Sequence, residues 1–138
     1  EQHDAAELDA AFSGAAFQRI DQSIAMGTLF TAYHLGAKAI VALTDSGSTA
    51  LWMSRHRVRI PIYALTPKVA TQRKMTLYRN VRPLLMDTSA NRDEALAQAE
   101  RHLKAQGIVA TGDIYAITCG EPMGAPGGTN MLKICRVN

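Results

Sequence analysis

The stretch Ala39-Ile40-Val41-Ala42-Leu43-Thr44-Asp45-Ser46-Gly47-Ser48-Thr49 decides the fold. Its first part is a continuous apolar run with no polar alternation, which suits a strand buried on both faces. Hydroxyls and a glycine follow at once, and a helix is then expected from about Thr49 to His56. A buried strand that feeds a short polar turn and a helix is the start of a βα unit, and such units build parallel sheets.

The pattern repeats downstream. Pro61 to Leu65 reads as a second buried strand, and Thr66-Pro67 as the opening of a helix with proline in its first turn, where a missing N–H costs little. Val81 to Met86 is a third strand. Thr88-Ser89 caps a helix from about Arg92 to Gln106 whose inner face is Leu96, Ala99 and Leu103, and Gly107 ends it. Asp113 to Cys119 is a fourth strand, Gly120 to Asn130 a loop, and Met131 to Val137 a last strand. Upstream, Ile20, Ile24, Leu29 (or Thr28) and Leu35 recur at helical spacing from Phe17 to Leu35, with Gly36 as C-cap. Residues 1–15 are Ala-rich and acidic, a lead-in helix or linker, and the domain itself occupies 16–138. The expected class is α/β, a three-layer α/β/α unit on a five-stranded mixed, mostly parallel sheet. The last strand has no helix before it and is therefore expected to be antiparallel, at an edge.

Composition narrows the function classes. At 138 residues, 47% hydrophobic and 20% charged, the chain has the profile of one soluble globular domain. No apolar run approaches the roughly 18 residues of a membrane helix, so no membrane partner is expected. The first residues are acidic and lack Met, which reads as a processed or cut end rather than a secretory signal. Cys119 and Cys135 make neither a disulfide framework nor a CxxC motif, so a reducing, cytoplasmic setting is expected, with buried inert thiols on the last two strands, where the two can be neighbours. His3, His34, His56 and His102 show no metal-ligand spacing, and no metal site is expected. GxxxxGK[ST], GxGxxG and GxSxG are all missing, which gives no support to Walker, Rossmann or hydrolase-elbow chemistry.

The net charge of +3 hides an asymmetry. Glu1, Asp4, Glu7 and Asp9 stand without a cation among them. From Ser46 to Met86 there is no acid, while Arg55, Arg57, Arg59, Lys68, Arg73, Lys74, Arg79 and Arg82 fall there. Such a run favours an anionic partner, or else a solvated face with some pairing between subunits. Nucleic acid is not the expected partner, because the cations are scattered and no RNA-binding or helix-turn-helix signature accompanies them.

Ligands of open α/β sheets sit at the carboxyl ends of the strands. Three loops qualify. Thr44, Asp45, Ser46, Gly47, Ser48 and Thr49 offer hydroxyls, a glycine for close approach and a following helix, the ingredients of a phosphate site. A cluster that merely caps the helix is the alternative. The loop after the second strand can place Lys68 nearby. The third, Gly120 to Asn130, holds four of the ten glycines and is long enough to close over a ligand, or to be plain surface filler. Trp52 and Met53, on the helix after the first loop, are expected in the core.

Ala37 to Ala50 (AKAIVALTDSGSTA) resembles a segment of pyruvate kinase C-terminal domains. Ser54-Arg55 through Pro61-Ile62, Leu77-Tyr78-Arg79-Asn80-Val81, and Gly112-Asp113 followed by Gly128-Thr129-Asn130-Met131-Leu132-Lys133-Ile134 resemble further motifs in that family's order. The likeness spans about residues 16–137. The Gly120-Glu121-Pro122-Met123 loop is most similar to the bacterial subgroup that responds to sugar monophosphates. The resemblance implies an α/β/α domain with regulatory and tetramer-forming roles. In the parent enzyme, barrel and lid domains transfer phosphate from phosphoenolpyruvate to ADP with Mg²⁺ and usually K⁺. Those ions and the catalytic residues belong to domains this chain lacks, so the fragment is expected to hold no cofactor and to be inactive alone. The implied partners are a phosphorylated sugar effector, the chain's own barrel domain and sister subunits in a homo-oligomer. The effector phosphate falls to Thr44–Thr49, with Met123, Gly124, Gly127, Gly128 and Thr129 closing over it and Lys68 or Arg73 as cation. Ser48 and Pro67 stand where the family usually carries arginine, which favours a monophosphate over a bisphosphate. Asn80 stands for a usual glycine, which Asn can replace because it accepts left-handed angles. A free-standing phosphometabolite-binding module and a purely structural assembly domain are the alternative readings.

Overall fold

A computed structural model of the chain describes residues 19–87, 92–120 and 128–138. Its elements are α1 (Ile20–Leu35), β1 (Ala39–Leu43), α2 (Ser48–Ser54), β2 (Ile62–Thr66), α3 (Val69–Met75), β3 (Val81–Leu85), α4 (Arg92–Ala105), β4 (Ile114–Gly120) and β5 (Thr129–Arg136). The expected lead-in over 1–15 and the Thr88-Ser89 cap lie outside the described residues.

The five strands form one sheet in the order β3-β2-β1-β4-β5. β1 pairs in parallel with both β2 and β4, and β2 with β3. β5 runs antiparallel to β4 at the edge. The expected mixed sheet with an antiparallel last strand is therefore what the chain forms. β1 and β2 are buried along their whole length, as their continuous apolar runs require. Side-chain alternation splits the core in two. Ile40, Ala42, Ile62, Ala64 and Ala116 face α1, α2 and α3, packing on Leu29, Met53 and Met75. Val41, Leu43, Tyr63, Leu65, Tyr115 and Ile117 face α4, packing on Leu96, Ala99 and Leu103. Each fully buried aliphatic contributes roughly 1.5–3 kcal/mol.

Local chemistry sets the element ends. Gly36 closes α1 in the left-handed region, at φ 67, and its N–H reaches back to the last turn. Asn80 also stands at positive φ, 64, and its side-chain amide donates to the Val58 and Ile60 carbonyls at 2.9 and 2.7 Å. The amide thus anchors the α2–β2 connection in addition to accepting the backbone turn.

Several expectations are corrected. Thr66 does not open a helix. It pairs with Leu85 as the last residue of β2, Pro67 precedes the Lys68 N-cap, and α3 starts only at Val69. Thr129 and Asn130 belong to β5, because Gly120 pairs with Thr129 and extends the ladder into the glycine-rich stretch. Cys119 lies opposite Met131 and Cys135 opposite Tyr115, so the two cysteines are not neighbours and form no disulfide, and Cys135 is only half-buried. On α1 the buried residues are Asp21, Ala25, Met26, Thr28, Leu29 and Ala32, whereas Ile20 and Leu35 are exposed. Small residues let this helix lie close to the sheet and to α2.

Candidate functional site

β1 is the strand at which chain order reverses. Its neighbour on one side, β2, follows it directly, and its neighbour on the other, β4, comes from the far end of the domain. The connections that leave β1 and β4 run in opposite directions, to β2 and to β5, and such a switch opens a crevice at the carboxyl ends of the strands. The loop Thr44–Thr49 leaves β1 there, and the start of β5 lies across the crevice.

Every residue of that loop is fixed by named bonds. The Gly47 N–H donates to Thr44 Oγ1 at 2.8 Å, which folds the turn. Gly47 itself is the N-cap of α2 at φ 84 and has no side chain to cap with. The first helical N–H, of Ser48, donates to Ser46 Oγ at 3.3 Å, and Ser46 Oγ donates to Ser48 Oγ at 3.2 Å. Thr71 of α3 donates its hydroxyl to the Asp45 carbonyl at 2.8 Å, and Lys68 Nζ pairs with the Asp45 carboxylate at 2.8 Å. Thr49, 1% exposed, donates its hydroxyl to that of Thr129 at 2.7 Å.

The structure thus brings Thr44, Asp45, Ser46, Gly47, Ser48, Thr49, Lys68 and Thr129 into one place. Gly128 is adjacent to Thr129 in the chain. Met123, Gly124 and Gly127 lie outside the described residues. Arg73 sits about 200° around α3 from Thr71, the residue that touches the loop, so the helix turns it toward the opposite side. It is exposed there.

Two residues at the site escaped the sequence reading. Ser48 Oγ donates to the buried carboxylate of Asp21 at 2.9 Å, and Asp21 is held in turn by both Arg19 Nε and Nη2. An acid in the first turn of a helix is common because it suits the dipole. Its only distinguishing sign is its place in the series 21, 25, 28, 32, where it shares a face with the buried small residues.

The cations of the acid-free stretch are partly used within the chain. Arg55 stacks 4.7 Å over Trp52, Arg79 donates to the Ser54 carbonyl, and Arg82 donates to Tyr63 Oη at 3.0 Å. Met53 is fully buried as expected and Trp52 partly, with its indole N–H among the buried groups lacking a partner.

The groups with displaced ionisation lie elsewhere. Tyr115 is level with Ala39, at the amino end of β1, so it is a strand's length from the loop. Its burial and its hydrogen bond to Glu100, at 2.5 Å, push its phenol upward. Burial likewise pushes the Cys135 thiol up, against the opposing effects of Tyr115 and Lys133. Beside them, between α4 and β5, runs a groove of about 480 Å³. Among the described residues no cluster of three or more His, Cys, Asp or Glu side chains is placed to hold a metal ion. No helix among them is long and apolar enough to cross a membrane.

The sequence of the chain has relatives among known proteins. The sequence model of the family described as "Pyruvate kinase, alpha/beta domain" matches residues 22–135. The chain is 37% identical over 124 residues to the pyruvate kinase of Buchnera aphidicola (subspecies Acyrthosiphon pisum), covering 89% of this chain and 26% of that protein. It is 35% identical over 122 residues to pyruvate kinase II of Salmonella typhimurium, covering 88% and 25%. With the pyruvate kinase of Staphylococcus aureus it shares 38% identity over 112 residues, 81% of this chain and 19% of the other. The chain therefore spans a fifth to a quarter of the length of these relatives, and it belongs to the pyruvate kinase C-terminal alpha/beta domain family.

Proposed function

We propose that this chain is the regulatory and assembly domain of a pyruvate kinase, and that the Thr44–Thr49 loop holds the phosphate of a sugar monophosphate. The parent reaction, from phosphoenolpyruvate and ADP to pyruvate and ATP, belongs to domains outside these residues, as do its Mg²⁺ and K⁺. What this domain contributes is control. A bound phosphate would engage the loop that is already tied to the start of β5, and its differential affinity for two arrangements biases the barrel and the sister subunits.

The observation that carries this reading is the Thr49–Thr129 hydrogen bond, which joins two separately expected ligand loops at the topological switch point. Hydroxyls and backbone N–H groups suit a monophosphate, and the arginine a bisphosphate would want is replaced by Ser48. A purely structural assembly role is the second reading. The internal engagement of Ser46, Ser48 and Thr49 favours it, since each hydroxyl has already given its proton to another group of the chain.

Calorimetric titration with glucose 6-phosphate, ribose 5-phosphate, fructose 1,6-bisphosphate and AMP separates the two. Saturable binding of one phosphosugar, abolished by Ser46→Ala with Thr49→Ala, supports the effector site. In the full-length enzyme the same double variant then loses activation and keeps basal turnover. Association of the domain without any phosphosugar binding supports the structural role instead.

A further inference from the structure

Asp21 is 1% exposed, and both oxygens of its carboxylate are occupied. Oδ1 accepts from Arg19 Nε and from the Gln22 backbone N–H, each at 2.9 Å. Oδ2 accepts from Arg19 Nη2 at 2.8 Å and from Ser48 Oγ at 2.9 Å. A guanidinium fork, a backbone amide and a hydroxyl form a donor set suited to two oxygens of a phosphate as well as to a carboxylate. Here the anion is the chain's own, contributed by α1 to the first residue of α2, 27 positions away.

Charge is balanced around the loop. Asp21 offsets Arg19, and Asp45 offsets Lys68. Neither Arg19 nor Lys68 is released to a phosphate entering Thr44–Thr49 until its pair opens. The partners differ in freedom. The Arg19 side chain is 52% exposed and reaches water with little desolvation to repay, while Asp21 is sealed between α1 and α2. Nη2 of Arg19 and Oγ of Ser48 share a single carboxylate oxygen, so the guanidinium already stands beside the loop.

We propose that Asp21 is an internal stand-in for the ligand's phosphate, and that Arg19 is the cation of the Thr44–Thr49 loop, given up by Asp21 when a phosphate monoester binds. The inference rests on the phosphate-site reading of that loop and deepens it. It supplies the cation that the loop itself lacks at Ser48, and it makes two anions compete for one guanidinium and one hydroxyl.

The test is calorimetry on the 138-residue chain with inorganic phosphate and glucose 6-phosphate. Four proteins are compared: the natural chain, Asp21→Asn, Arg19→Ala combined with Asp21→Asn, and Ser46→Ala combined with Thr49→Ala. The Arg19/Asp21 double variant leaves no buried charge unpaired, and Asp21→Ser is a second uncharged variant if Asp21→Asn melts early. The expected result is binding about tenfold tighter in Asp21→Asn, in line with releasing one charged hydrogen-bond donor, and loss of that gain when Arg19 is also removed. Unchanged or weaker binding in the uncharged variants overturns the stand-in role, and a gain that survives loss of Arg19 overturns its role as the cation. In either case, loss of binding in the Ser46/Thr49 variant leaves the loop reading intact. Absence of phosphate binding in the natural chain and in both uncharged variants overturns both.

Discussion

Thr49 and Thr129, 80 positions apart in the chain, share a buried hydrogen bond of 2.7 Å between their hydroxyls. It ties the first turn of α2 to the first residue of β5, and so ties the loop after β1 to the edge strand. Replacing Thr49 by Val keeps the shape and strands the Thr129 hydroxyl in a dry site, at a cost of about 1–3 kcal/mol. The double change to Val at both positions recovers much of that loss, because no polar group is then left alone. Urea unfolding of the single and double variants gives the coupling, and strictly additive losses would show that the bond contributes nothing of its own.

Asn80 serves the backbone turn and the α2–β2 connection together. Asn80→Ala loses both side-chain bonds and strains a positive φ, for a combined loss of about 2–4 kcal/mol. Asn80→Gly relieves the strain and loses only the bonds, so it is the milder change by about 1 kcal/mol. Denaturation midpoints in the order natural chain, glycine, alanine are expected. An alanine variant as stable as the glycine one removes the strain argument.

Two glycines give opposite outcomes. At Gly47 a Cβ would lie 3.1 Å from Met75 Cγ and 3.3 Å from its Sδ, on a backbone at φ +84, so Gly47→Ala destabilises by about 1–3 kcal/mol and disturbs the loop. Gly27 lies within α1, and a Cβ there meets nothing within 4 Å, so Gly27→Ala stabilises by about 0.5–1 kcal/mol. Thermal melts of the two variants are expected to move in opposite directions.

Stability falls on the alkaline side. Burial raises both the Cys135 thiol, from its ordinary 9.0, and the Tyr115 phenol, from its ordinary 10.0. The folded state therefore holds protons that the unfolded chain releases first. Their contribution is complete below about pH 9 and is lost as pH rises beyond it. Melting temperature is expected to stay level from pH 7 to 8.5 and then decline, with a shallower decline in Tyr115→Phe. Thiol labelling of the folded chain at neutral pH is expected to be slow at Cys135.

Much of this architecture is legible in the sequence because its signals are local. The runs Ala39–Leu43 and Pro61–Leu65 announce buried strands, and Gly36 and Asn80 announce left-handed turns. What fails is set by distant partners. Pro67 looks like a first helical residue, yet Thr66 is claimed by the ladder to Leu85. The glycine density before Thr129 looks like loop, yet Gly120 draws Thr129 into β5. On α1 the large aliphatics Ile20 and Leu35 attract the eye, yet they are exposed, while the packed face joins Met26 and Leu29 to small residues and Asp21. The hydroxyl-rich loop was visible as a candidate. The carboxylate that engages it was not, since a charged residue is recognised as buried only once its donors are known.

The strand order carries a consequence for how the chain acquires its shape. Of these five strands β1 is the first to be synthesised and the central one in the finished sheet, and its second neighbour is β4. Until β4 is made, the β4-facing edge of β1 has no strand beside it, and the chain through β3 is a three-stranded fragment whose central strand is β2. The long closure between β1 and β4 repays its entropy only at the end. No cut between β3 and β4 therefore yields two self-sufficient halves: the domain folds as one unit, and its crevice comes into being only with the strand that completes it.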